Sequence, residues 1–96
     1  MTIIIQKSVN ELTVSAHALK SILNIKLTRA GQRHASAMGF KSANHLIEAV
    51  KNAPVEREFE QYIKILKQEM AANHQIILND EMVERLKMGL VSAGPH

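Results

Sequence analysis

The apolar positions of the chain fall into stripes at steps of three and four, broken by two short apolar runs. Val9, Leu12, Ala16, Leu19 and Leu23 lie on one side of a helix predicted over about 9–24. Ser8 and Glu11 precede it with the S-x-x-E spacing of a capping box. Thr28 suits the cap of a second helix, whose one side carries the mostly small residues Ala30, Gly31, His34, Ala35 and Met38. Gly39 follows the last periodic position, where many helices end in a left-handed turn. Ser42 caps a third helix, with Leu46, Ile47 and Val50 facing inward and Phe40 and Ala43 packing at its start. Asn52, Ala53 and Pro54 end it, because proline disfavours helix in the residue before it.

Pro54 also suits the first turn of a fourth helix, and Glu56, Glu58 and Glu60 would meet the positive end of its dipole. Val55, Phe59, Tyr62, Ile63, Leu66 and Met70 form its stripe, predicted to run to about Ala72 with Asn73 terminating it. Asn79 or Asp80 caps a last helix carrying Met82, Val83, Leu86 and Leu90. The β-branched runs at 2–6 and 75–78 read as short strands that pair with each other, the first alternatively as an apolar N-terminal arm. The expected fold class is therefore mainly α: a five-helix small domain with a helix-turn-helix-like pair and two short strands. A single domain spans 1–91, and "SAGPH", 92–96, reads as a frayed tail.

A chain of 96 residues buries a small core. The stripe Val55, Phe59, Tyr62, Ile63, Leu66 and Met70 is long for such a core, so the expectation is a twofold homodimer built on it. A two-stranded sheet is marginal alone and would need helices or a second copy against it.

Charge divides the chain. Residues 1–52 hold seven Lys and Arg against two Glu, and residues 53–96 hold five against seven acids, so a basic half of +5 precedes an acidic half of −2. The basic half suits an acidic partner. Cysteine is absent, which excludes disulfides and thiolate chemistry. The first residues lack the pattern of a signal peptide, and no run approaches the roughly 20 apolar residues of a membrane span, so a cytoplasmic protein without a membrane partner is expected.

Candidate chemistry is narrow. No nucleophile elbow or phosphate-binding loop occurs, Asp80 is the one aspartate, and Ser8 and Ser42 sit where caps are needed. The reading is non-enzymatic and without cofactor. His17, His34, His45, His74 and His96 have no metal-ligand spacing. No metal site is assigned: His34 reads as a hydrogen-bonded interior histidine, and His45 points to solvent or a partner. What remains is the helix pair. Ala35 and Gly39 have the A-x-x-x-G spacing of a DNA-binding helix-turn-helix, with the Ser42 cap one residue late. Arg29, Arg33, Lys41 and Lys51 are the expected phosphate contacts, and Asn44, with His45 second, the expected base reader. Glu48 opposes this, since it sets a carboxylate among phosphates.

Residues 8–52, through Ala35, Met38, Gly39, Phe40, Ser42 and Leu46, resemble a small helical module found in plasmid- and phage-borne proteins and at the head of some glyoxalase-superfamily proteins. The module's usual aromatic after the serine is absent here. The resemblance implies a helical fold and a mobile-element setting, and it carries over no catalytic residue. Together these readings point to a DNA-binding accessory or transcription-regulating protein using residues 28–51. The alternative is a protein-interaction module without DNA contact. That would be an antitoxin or a phage- or plasmid-encoded inhibitor of a host defence complex, of anti-CRISPR type, docking on acidic protein or exposed RNA.

Overall fold

The computed structural model describes residues 2–91, so the tail expected at 92–96 lies outside the described residues. The chain runs β1 (Ile3–Gln6), α1 (Val9–Leu23), α2 (Leu27–Ala37), α3 (Ala43–Asn52), β2 (Val55–Glu58), α4 (Phe59–His74) and α5 (Asp80–Leu90). The mainly α class with five helices is as expected; the strand pairing is not. β1 pairs antiparallel with β2, Ile4 opposite Arg57 and Gln6 opposite Val55. Residues 75–78 form no strand, and 55–58 are extended instead of opening the fourth helix.

The competing pulls on 55–58 are physical. Val55, Phe59 and Ile63 are spaced for a helix, but Ala53, before Pro54, is extended with φ −166°. The chain continues extended through the β1 ladder, which the Phe59 N–H extends by donating to the Thr2 carbonyl at 2.9 Å. α4 begins only at Phe59, without a side-chain cap, and runs past Ala72 and Asn73 to His74, where Gln75 turns left-handed. Beyond it Leu78 is buried while Ile77 stands in solvent with no partner strand.

Local signals elsewhere act as read, with two adjustments. Ser8, Ser42 and Asn79 each accept a backbone N–H at the start of α1, α3 and α5. The Glu11 carboxylate, however, accepts the N–H of Lys7 at 2.6 Å, one residue earlier than a capping box requires. Thr28 does not cap α2. Asn24 ends α1 in the left-handed region, and Lys26 becomes the N-cap with no side-chain bond, so Thr28 is already helical.

Tyr62, Leu66 and Met70 of α4 are fully buried with Ile4, Leu19, Leu23, Ala30, Ala35 and Leu86 in one core, and Phe59 and Ile63 are nearly so. Most of the stripe on which the dimer expectation was based is thus covered within a single chain. Of the other elements, α2 makes the most extensive contact with α4, and of the stripe only Val55 stays half-exposed, within β2.

Gly39 closes α2 with φ +96°. Its N–H bonds Ser36 O and that of Phe40 bonds Ala35 O, the paired bonds of a Schellman turn. Arg57 of β2 lies over this turn. Its Nε donates to the Ala37 carbonyl at 3.2 Å, and its guanidinium is 3.4 Å from where a Gly39 Cβ would sit. Gly39→Val should therefore cost about 1–3 kcal/mol through backbone strain alone. Gly31, in the middle of α2, has nothing within 4 Å of an added Cβ. Gly31→Ala should stabilise by about 0.5–1 kcal/mol, because helix propensity improves without a clash. Urea unfolding of both variants checks the pair; equal and small effects would contradict the assigned turn.

Candidate functional site

Helix α2 carries chemistry on two sides. Its inner side centres on His34, which is 2 % exposed. The ring joins four elements. His34 Nδ1 lies 2.7 Å from the Tyr62 hydroxyl of α4, and Nε2 lies 3.1 Å from Gln6 Oε1 of β1. The Ser15 hydroxyl of α1 donates to the same Gln6 oxygen at 3.1 Å. Gln6 Nε2 donates to the Ile5 carbonyl, which fixes its amide so that Oε1 faces the histidine. An amide oxygen only accepts, so His34 Nε2 carries the hydrogen and Nδ1 accepts the Tyr62 O–H. Among the described residues no buried side-chain nitrogen or oxygen lacks a partner.

A neutral ring satisfies this network and an imidazolium does not. Burial lowers the His34 pKa from 6.5 to about 4 and raises that of Tyr62 well above 10. With both nitrogens engaged, His34 has no lone pair free for a metal. Among the described residues no group of three or more His, Asp or Glu side chains is placed to hold one.

The outer side of α2 bears Lys26, Arg29 and Arg33, at steps of three and four. With Asn24 and Ile25 after α1, and Asn73, His74 and Ile76 at the end of α4, they line an open cleft of about 490 Å³. Arg33 is held from across the cleft: Nη1 meets Glu69 Oε1 at 2.7 Å, and Nε donates to His74 Nε2 at 3.2 Å. His74 is held below its ordinary pKa by desolvation first and by the Arg33 and Arg29 charges second. Lys26 and Arg29 are exposed and form no ion pair among the described residues.

α3 packs on another side of α2. Gly31 and Arg33, two positions apart, point roughly 200° apart around the helix. Gly31 lies with Ala43, Leu46 and Ile47 of α3 and with Val9, Leu12, Thr13, Ala16 and His34 around a separate apolar cleft of about 140 Å³. Leu46 and Val50 of α3 are buried. Asn44, His45, Glu48 and Lys51 are exposed, as is Lys41 just before the helix. Glu48 reaches Lys51 at 3.7 Å.

The six expected DNA-contact residues therefore do not form one surface. Lys41, Asn44, His45 and Lys51 lie on or beside the outer face of α3, whereas Arg29 and Arg33 line the cleft against α4, where no α3 residue reaches. Its spacing one turn from Arg29 points Arg33 to phosphate. Its partners Glu69 and His74 are 36 and 41 positions away, and local spacing carries no trace of them. Lys26 and His74, 48 positions apart, likewise meet in the cleft with no local signal in the sequence. Comparison with protein-family models, with curated proteins and with solved structures returned no match.

The network has a pH signature. The unfolded chain protonates His34 near 6.5 and the folded one near 4, so the unfolded state binds more protons in between. The stabilisation is complete above about pH 6.5 and is lost as the pH falls toward 4, by about 3 kcal/mol in all. Urea midpoints measured from pH 7 to 4 should fall over that window; a flat profile would contradict a buried neutral His34.

Proposed function

We propose that this chain is a small non-enzymatic nucleic-acid-binding protein of accessory or regulatory kind, meeting duplex DNA with the outer face of α3. The observation that carries the reading is the exposed face Asn44, His45, Glu48 and Lys51 of α3, with exposed Lys41 just before the helix; α2 leads into it through the Schellman turn at Gly39. Asn44 and His45 stand in the first turn of α3, the part of a recognition helix that reaches base edges. The two lysines stand at either end, where phosphates would pass. Glu48 is offset by its contact with Lys51. The resemblance of residues 8–52 to modules of plasmid- and phage-borne proteins supports the same setting.

The contact set is smaller than the sequence suggested. Arg33 is engaged with Glu69 and His74, and Arg29 faces the other side of α2. Two lysine–phosphate contacts give a salt slope of about −2. Lys51→Ala should lower the slope by about 1 on any sequence. Asn44→Ala should cost about 1–3 kcal/mol on a preferred site and little on random duplex. Arg33→Ala should leave the slope unchanged and lower stability by about 1–2 kcal/mol, since it breaks a partly buried, charge-assisted contact between α2 and α4. Titrations at two salt concentrations test all three; no wild-type binding to duplex at low salt would overturn the reading.

A second reading, a protein-interaction module of antitoxin or defence-inhibitor type, draws support from the apolar cleft between α1, α2 and α3. Its walls, Val9, Leu12, Ala16, Leu46 and Ile47 over Gly31, suit an apolar side chain of a partner protein.

A further inference from the structure

The cleft on the far side of α2 is a site of its own. It is walled by three elements, and its cations converge from one helix face. Lys26, Arg29 and Arg33 line it together; among the described residues only Arg33 of these meets a carboxylate, that of Glu69. Three cations against one carboxylate leave a local charge of +2. Guanidinium groups recognise tetrahedral oxyanions through planar paired donors, and a lysine adds a mobile point charge. A phosphomonoester carries about −1.5 to −2 at neutral pH, which matches the cleft.

The remaining walls refine the fit. Ile25 and Ile76 supply apolar surface beside the cations. The volume of about 490 Å³ falls within the roughly 300–1,000 Å³ of small-molecule sites. Among the described residues the only ring in the cleft is the His74 imidazole, which is held by Arg33. α2 begins without a side-chain cap, which adds free N–H groups beside Lys26. We propose that this cleft binds the phosphate group of a small phosphorylated molecule, with Arg29 and Lys26 as its free cationic contacts and Arg33, braced by Glu69, as the fixed one.

Binding here is independent of the α3 face, so it stands or falls separately from DNA recognition. His74 reports on it. Its Nε2 accepts from Arg33, and desolvation first and the charges of Arg33 and Arg29 second disfavour its protonation. An anion that neutralises them raises the His74 pKa, a response that a merely structural arginine cluster would not give.

The test uses the full chain, with the histidine ring signals followed by NMR during titration with sodium pyrophosphate, with adenosine monophosphate, and separately with a short DNA duplex. The expected result is a saturable shift of His74 with the small phosphates below about 10 mM, accompanied by an upward move of its pKa. Arg29→Glu, at an exposed and unpaired position, should weaken that binding at least about tenfold, and Lys51→Ala should leave it unchanged. The proposal is overturned if neither small phosphate gives a saturable shift, if Arg29→Glu binds as well as wild type, or if only the duplex perturbs the cleft. In the last case the arginines belong to a nucleic-acid surface.

Discussion

The fold depends on keeping one histidine neutral inside it. His34 stands on the stripe of α2 that also holds Ala30, Ala35 and Ala37, all fully buried. Small residues let neighbouring elements approach α2 closely, and the ring then has to find its hydrogen bonds among them. It finds Tyr62 on α4 and Gln6 on β1, and Gln6 in turn takes Ser15 on α1. A buried polar group without a partner costs about 1–3 kcal/mol, so each of these four elements is penalised for moving away from the others. The network also sets the face of β1: Ile4 and Gln6 turn inward and Ile5 outward, and a slip by one residue would bury Ile5 in place of the amide.

From this centre the two surfaces of α2 follow. With His34 inward, Gly31 falls toward α3 and Arg29 and Arg33 toward the end of α4. Glu69 and His74 then tie Arg33 down, and Lys26 and Arg29 remain free beside it. α3 is left with a polar outer face because Leu46 and Val50 supply its core contacts. Five of the seven cations of residues 1–52 are thus divided between two surfaces, Lys41 and Lys51 at α3 and Lys26, Arg29 and Arg33 in the cleft.

What the sequence made legible were features set by near neighbours along the chain. The caps at Ser8, Ser42 and Asn79 depend on bonds to the residue three positions on, and the positive φ of Gly39 on a turn of six residues, 35–40. Long-range choices were hidden. The stripe of Val55, Phe59 and Ile63 reads equally as helix, and only the arrival of β1 makes 55–58 a strand. Ile76 and Leu78 have strand character but no edge to join. The apolar stripe of α4, which reads as excess in the sequence, is mostly buried within the chain, largely against α2. Arg33 could be placed on a polar side of α2 from its spacing; Glu69 and His74, which decide what it does, lie more than thirty positions further on.

The most direct test of this account is the protonation state of His34 itself. A long-range ¹H–¹⁵N correlation of the imidazole at pH 6, below its unfolded-state value of 6.5, resolves tautomer and charge. The account predicts a neutral ring protonated at Nε2, with Nδ1 shifted as an acceptor from Tyr62 and restored to an unbonded position in Tyr62→Phe. An imidazolium at pH 6, or a ring protonated at Nδ1, would contradict it.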